Sequence, residues 1–329
     1  MTLYTHLTTQ EREMIFLYHS FGFSFRRIGR LIKRSPSTVM REIKRHSTKI
    51  KPYSPSLAQK SYHKNKQKCG RKRVLDTSPL KETVCKLFLE DQWSPEQIAN
   101  RIKMEKHTTI SYNTIYRSIY RGLFNKGFTK DSRGARRKLR RKGKPRRKRL
   151  EDGRGKFNDA PTIHERPLEA ENRKTLGHWE ADTVIGAKGS ACLVTLVDRK
   201  SRFLLTSKAA KKDALSVSNV IINLFSELPL GKRKTITPDR GSEFALYQKF
   251  SKAANINCYF SDPQAPWQRG TNENTNGLLR EYLPKGKDMT LIPDSYIQSF
   301  MHKLNTRPRK CLNWKTPYEV FYDKVLHLI

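Results

Sequence analysis

In the first fifty residues, apolar side chains recur at helical spacing in three short runs, each preceded by a hydroxyl residue. Thr8 with Glu11 makes a capping box for a helix running to about Phe21, where Gly22 stops it. Ser24 starts a second run, SFRRIGRLI, with Ile28, Leu31 and Ile32 on one face. Ser35 caps a third with Pro36 in its first turn, Val39 and Ile43 facing inward. Ser37, Thr38, Arg41, Lys44 and Arg45 are then left outward. Two short helices and a tight turn, the second helix rich in Ser, Thr and Arg, form a helix-turn-helix signal. The three cations point to groove and phosphate contacts with DNA.

The pattern repeats. SPEQIANRI (94–102) matches SFRRIGRLI at the Ser, at the small Ala99/Gly29 position and at both isoleucines. SYNTIYRSI (111–119) matches SPSTVMREI (35–43), with a turn longer by six residues. Asn113, Thr114 and Arg117 are the corresponding DNA-facing candidates. Two helix-turn-helix units follow, about 7–46 and 79–122, within domains 1–50 and 51–125. A plain three-helix bundle explains the same periodicity in each.

From Gly177 the period shortens. HWEADTVIG and SACLVTLVDRKSRFLLTSKA read as three strands, the last two turning at Asp198-Arg199-Lys200-Ser201. An amphipathic helix over about 213–228 places Val217, Val220, Ile221, Leu224 and Phe225 inward. A strand KTITPD, a helix over about 242–254, a strand INCYFS and a helix over about 268–283 complete the order βββαβαβα. That is the order of a ribonuclease H-like α/β fold, placed in a domain at 166–329. The whole chain is therefore multidomain, all-α units first and the α/β core after.

Charge changes this picture more than length does. The 329 residues carry 67 Lys+Arg against 30 Asp+Glu, a net +37. Residues 1–160 hold 41 basic and 13 acidic side chains, and residues 161–329 hold 26 and 17. Such a field favours polyanions and salt-dependent binding, concentrated in the front half. Between the halves, RGARRKLRRKGKPRRKR (133–149) has twelve basic residues in seventeen. It lacks an apolar period, so it is expected to be extended, either a phosphate clamp or a solvated or targeting-like tract, within a basic flexible linker at 126–165. No apolar run reaches the roughly 18 residues of a membrane span, and MTLYTHLTTQEREM lacks the core of a signal peptide. Five scattered cysteines without zinc spacing fit reduced thiols in a cytoplasmic setting.

Against this basic background, Asp182, Asp239 and Glu273 stand out. A carboxylate at a polyphosphate-binding face repels its ligand unless a divalent cation lies between them. Asp182 lies mid-strand, Asp239 ends a strand before Gly241, and Glu273 opens a helix entered through PWQRG. Acids on separate elements can converge on Mg²⁺, which prefers hard oxygen ligands. One ion would activate a water or 3′-hydroxyl and a second would stabilise the leaving oxygen. Glu180 shares a strand face with Asp182 and is placed beside the site, and Glu243 is assigned to helix-start electrostatics. Asp198 reads as turn chemistry, Asp262 as a loop residue, and His178 and Trp179 as packing. Gln268, Arg269, Asn272, Asn274 and Asn276 surround Glu273 with groups able to track DNA or to form a polar helix face.

The opening LTTQERE…IGRLIKRSPSTVMREIKR, HWEADTVIG, VTLVDRKSRF, TITPDRGSEFA, DPQAPWQRGTNENTNGLLREYLPKG and NTRPRKCLNWKTPYEVF resemble bacterial insertion-sequence transposases of the DDE class, most closely the insertion sequence 30 family. The resemblance spans nearly the full length. It implies a ribonuclease H-like core, Mg²⁺ (or Mn²⁺) dependence, recognition of terminal inverted repeats, and strand cleavage and transfer into target DNA through a circular or joined-end intermediate. It puts Asp182, Asp239 and Glu273 at the three catalytic and metal-binding positions. Arg240 departs from it, standing where many integrase-like relatives have Asn. Holding two DNA ends together implies a homo-oligomer, and a bacterial, nucleoid-associated location follows. Two other functions compete: a DNA-binding regulator with an inactive core, and a metal-dependent endonuclease that cuts without joining.

Overall fold

The computed structural model describes residues 5–48, 51–69, 73–77, 79–106, 108–128, 133–139, 160–187, 189, 191–263 and 265–329. It divides into two compact units, Met1–Arg73 and Val74–Ile329.

In the first unit, α1 (Thr9–Ser20), α2 (Phe25–Leu31) and α3 (Pro36–His46) begin at Thr8, Ser24 and Ser35, each side chain accepting from a first-turn N–H. Ile15, Ile28, Ile32, Val39 and Ile43 form the core. Leu31, expected inward, is half exposed, while Ile28 and Ile32 take the buried positions on either side of it. The unit also extends past residue 50. A fourth helix, α4 (Pro55–Lys68), packs on α1, with Tyr53 and Ala58 in the same core. Arg12 and Glu42 pair at 2.7 Å inside the unit, and Arg12 also donates to the Leu7 carbonyl.

In the second unit, α5 (Val74–Thr77), α6 (Leu80–Leu89), α7 (Pro95–Lys106) and α8 (Tyr112–Arg121) bury Val84, Phe88, Ile98, Ile102, Ile115 and Ile119. Gly122 closes α8 in the left-handed conformation, φ 86°, where a Cβ would be strained, and a short helix α9 (Leu168–Asn172) precedes the sheet. A 3₁₀ turn over Gly134–Lys138 buries Ala135 in the same cluster. The start of the basic tract is thus folded onto the helices instead of extended. The rest of that tract, from 140 to 149, and linker residues 129–132 and 150–159 lie outside the described residues.

The sheet has strand order β3-β2-β1-β4-β5, from β1 (His178–Ile185), β2 (Cys192–Asp198), β3 (Leu204–Ala209), β4 (Thr235–Thr237) and β5 (Asn257–Cys258). The first three pair antiparallel, and β4 and β5 run parallel to β1. This is the ribonuclease H-like α/β core. Alternation along the strands sends Trp179, Ala181, Cys192, Val194 and Leu196 to a core shared with Val217, Ile221 and Phe225 of α10 (Ala214–Ser226) and with Phe250 of α11 (Tyr247–Ala254). Val184, Leu193, Val197 and Leu204 face the other way. They pack against α12 (Gly270–Leu279) and α13 (Asp294–Asn305), while α14 (Pro317–Tyr322) returns Phe321 to the first face. The helices expected to start at 242 and 268 open instead as 3₁₀ turns, Ser242–Phe244 and Pro266–Arg269.

The helices α5–α8 and the sheet do not behave as separately tethered domains. Arg101 of α7 is buried and donates to both oxygens of Glu319 in α14, at 2.8 and 2.7 Å, to the Leu326 carbonyl and to Glu105. Gln97 donates to the Pro308 carbonyl, and Glu105 accepts from the Leu328 and Ile329 amides. Among the described residues, no helix is long and apolar enough to cross a membrane.

Candidate active site

Asp182 stands on the β1 face that carries Glu180 and Val184, opposite Thr195 of β2. Glu180 registers with Thr237 on the parallel strand β4, so Asp239, two residues past Thr237, comes level with Asp182, two residues past Glu180. One cation spans them. The Arg269 guanidinium lies 3.4 Å from Asp239 Oδ2 and 4.0 Å from Asp182 Oδ2, and donates to the Ala181 carbonyl at 3.2 Å.

Each carboxylate is also aimed by neutral donors. Asp182 accepts from the Thr183 amide at 2.8 Å and from Asn276 Nδ2 at 2.9 Å. Asp239 accepts from the Gly241 amide at 3.0 Å. Burial raises the Asp182 carboxyl to about 6, with Arg269 opposing and the neighbouring Asp239 charge reinforcing the rise. Two carboxylates held close in a partly desolvated place call for a counter-cation.

Glu243 closes one side of this pair. It is buried, accepts from Thr183 Oγ1 at 2.8 Å and pairs with Lys212 at 2.9 Å. Burial alone would raise its carboxyl, but the Lys212 and Thr183 bonds hold it below the usual range. Gly241 is the hinge of this arrangement. A Cβ there would sit 2.4 Å from Glu243 Oε2 and 2.8 Å from Asp239 Oδ1, so the two acids fill the space a side chain would need.

α12 is fastened across the site. Glu180, fully buried, accepts from the Asn272 amide at 2.8 Å in its first turn and pairs with Arg199 at 2.8 Å. Arg199 also donates to the Gln268 carbonyl. Thr195 Oγ1 lies 3.3 Å from the side-chain oxygens of both Asn272 and Asn276, within reach to donate to either. Glu180 therefore positions the helix and does not join the acid pair. Asn272 is buried against Thr195, which removes it from any DNA-tracking face. Gln268 also turns inward, donating to Asp262 at 2.7 Å and accepting from its amide at 2.8 Å, so both ends of its side chain brace the loop. Asn274 and Glu273 are exposed. Glu273 lies one turn before Asn276, on the helix docked at Asp182. Among the described residues, no three acids, histidines or cysteines are grouped closely enough to hold a metal ion.

Asp198 accepts from Ser201 and from the Gly177 amide, the expected turn chemistry. His178 is buried between Thr235 and Thr175, and burial lowers it to about 4. On α3, Ser37, Arg41, Lys44 and Arg45 are exposed and Thr38 is half-buried; on α8, Asn113 and Arg117 are exposed and Thr114 is half-buried. Sequence reasoning missed the contacts of Arg269 and Asn276 with the acids and the Lys212–Glu243 support. The one available signal was the density of polar residues in PWQRGTNENTNG.

The chain matches two family models, a helix-turn-helix domain over residues 4–46 and an integrase core domain over 172–266. A helix-turn-helix unit with a ribonuclease H-like integrase core defines a DNA-binding polynucleotidyl transferase of the DDE type. Transposase InsI for insertion sequence element IS30A of Escherichia coli K12 is 37% identical over 321 residues, covering 96% of this chain and 83% of that protein. The transposase for insertion sequence element IS1086 of Cupriavidus metallidurans is 35% identical, covering 97% and 95%. The transposase for IS4351 of Bacteroides fragilis is 36% identical over 96% of this chain. The chain belongs to the insertion sequence 30 family of transposases, enzymes of DNA transposition and integration.

Proposed function

We propose that Asp182, Asp239 and Glu273 carry the chemistry, and that Asp182 and Asp239 are the principal holders of a divalent cation, Mg²⁺ or Mn²⁺. The observation carrying this reading is that two carboxylates from adjacent parallel strands share a single positive charge. Hard oxygen donors around one cation suit these ions. A bound ion would screen the scissile phosphate and lower the pKa of a water or 3′-hydroxyl. Glu273 is the third acid in this reading, one turn before Asn276 on the helix docked at Asp182. Asn276 keeps Asp182 aimed, and Gly241 lets Asp239 and Glu243 close up. Arg269, released from the acids, meets a DNA phosphate.

The DNA partners are terminal inverted repeats and target DNA. Ser37, Thr38, Arg41, Lys44 and Arg45 on α3, with Asn113, Thr114 and Arg117 on α8, form the contacting faces. Gln268 is left out because Asp262 occupies both ends of its amide. The active complex is a homo-oligomer holding two ends, acting in the bacterial cytoplasm at the nucleoid.

Incubating the full chain with a labelled element end and Mg²⁺ tests this. Asp182→Asn, Asp239→Asn and Glu273→Gln are each expected to abolish cleavage and joining while leaving DNA binding within about twofold, since the reacting phosphate needs every acid. Wild-type joining by any of the three would remove that residue from the site. A cut but never joined product would favour the endonuclease.

A further inference from the structure

Among the described residues, Arg101 and Arg269 each meet two carboxylates, and they are built in opposite ways. Arg101 is held by Glu319, Glu105 and the Leu326 carbonyl, with contacts to Glu319 of 2.8 and 2.7 Å. Every nitrogen of its guanidinium has a partner. Arg269 reaches its acids only at 3.4 and 4.0 Å, and its buried Nε has no hydrogen-bond partner. A guanidinium committed to a structural weld makes short, paired contacts. Arg269 instead keeps one hydrogen bond to the Ala181 carbonyl at 3.2 Å and is otherwise held loosely, by charge.

Its place in the chain fits that looseness. Arg269 is the N-cap residue of α12, at the junction with the Pro266–Arg269 3₁₀ turn, and makes no side-chain capping bond. Both flanks of the junction are fixed by other groups: Asp262 clamps Gln268, and Glu180 clamps the Asn272 amide. The arginine can therefore change partner without undocking the helix.

We propose that Arg269 is a displaceable internal counter-ion. It neutralises the Asp182–Asp239 pair in the metal-free enzyme, and leaves the acids for a DNA phosphate when a divalent cation takes its place. This rests on the reading that the pair holds the cation. Arg269 and the cation then compete for the same oxygens, and the chain is protected from carrying an unbalanced acid pair or a prematurely loaded site before DNA arrives. Arg269 acts here as a positioning residue.

Competition predicts metal affinity without DNA, independent of turnover. The full chain is titrated with MnCl₂ and free Mn²⁺ is read by electron paramagnetic resonance. Arg269→Gln removes the competing charge and is expected to bind Mn²⁺ about tenfold more tightly than wild type, the order expected from removing a positive charge that sits on the same carboxylates. Arg269→Lys, which keeps the charge but loses the second arm, is expected between the two; if the Gln variant loses its far-UV circular dichroism, the same ordering is read from Lys against wild type. Affinity unchanged or weaker in these variants overturns the proposal. Asp182→Asn separates the two failures. If it weakens Mn²⁺ binding while the Arg269 variants do not strengthen it, only the counter-ion role falls. If it leaves Mn²⁺ binding unaltered, the cation reading beneath is wrong.

Discussion

At the scale of single residues, the paired acids Asp182 and Asp239 store repulsion that the fold has to contain. The Asp182 carboxyl sits at about 6 against an ordinary 3.8, so the folded chain binds its proton more tightly than the unfolded one. Stability therefore falls as pH rises from about 4 to 6, and the ionised group is a burden above that range. In metal-free buffer at pH 7.5, Asp182→Asn should be more stable than wild type by about 1–2 kcal/mol, the gap closing toward pH 4. Denaturant unfolding at both pH values checks this, and a wild type that is the more stable at pH 7.5 would mean Arg269 more than offsets the burial. His178, lowered to about 4 by burial, has the opposite pH dependence, but it is common to both proteins and cancels. Gly241→Ala probes the same crowding sterically: its Cβ would meet Glu243 at 2.4 Å and Asp239 at 2.8 Å. Secondary structure should survive, since only side-chain ends are displaced, while strand cleavage should drop about 100-fold, the order expected for a misplaced reacting group. Asp182 and Asp239 were legible as sequence because acids are rare against so basic a background. Arg269 was not legible as their partner, because its reach depends on how the 3₁₀ turn sets its backbone.

Among elements, capping chemistry was the most readable signal and long-range docking the least. Thr8, Ser24, Ser35 and Ser111 start their helices where hydroxyl side chains and apolar spacing say they should. Alternation in HWEADTVIG likewise placed Glu180 and Asp182 on one face. Nothing local, however, announces that Arg101 of α7 meets Glu319 of α14 more than two hundred positions later. Reading 51–125 and 166–329 as separate domains followed from that silence. The pair is buried and bidentate, and it holds Glu319 down to about 2: burial would raise the acid, but the Arg101, Thr316 and Leu326 donors outweigh it. Glu319→Ala leaves Arg101 charged and under-paired in the interior, which costs about 3–5 kcal/mol. Hydrogen exchange should then speed up in α7 and α14 while the β1–β2 amides keep their protection. Equal acceleration in the strands would mean that helices and sheet unfold as one cooperative body.

Across the whole molecule, charge is sorted more sharply than shape. The surplus of cations lies in residues 1–160, where 41 basic side chains face 13 acidic ones, while the acids proposed to carry the chemistry sit in the less basic half. That division lets one end of the chain hold polyphosphate while the other concentrates negative groups without repelling the duplex overall. It also makes affinity a function of salt, since each phosphate neutralised releases counter-ions. The exposed Arg41, Lys44 and Arg45 of α3 can be sorted on this basis into charges that grip and charges that read. For a side chain on a phosphate, alanine substitution should weaken binding to every duplex alike and reduce the slope of log K against log salt by about 0.9. For one on a base edge, the slope should change less, and the loss, about 1–3 kcal/mol, should be confined to duplexes carrying the inverted-repeat end. Lys44, a compact point charge near the C-terminal end of α3, is expected to behave as the first kind. Arg41, nearer the N-terminal end, where a recognition helix meets base edges, is expected to behave as the second. Salt titrations of both variants on an element end and on an unrelated duplex decide it, and identical slopes and identical losses for the two would remove α3 from the groove.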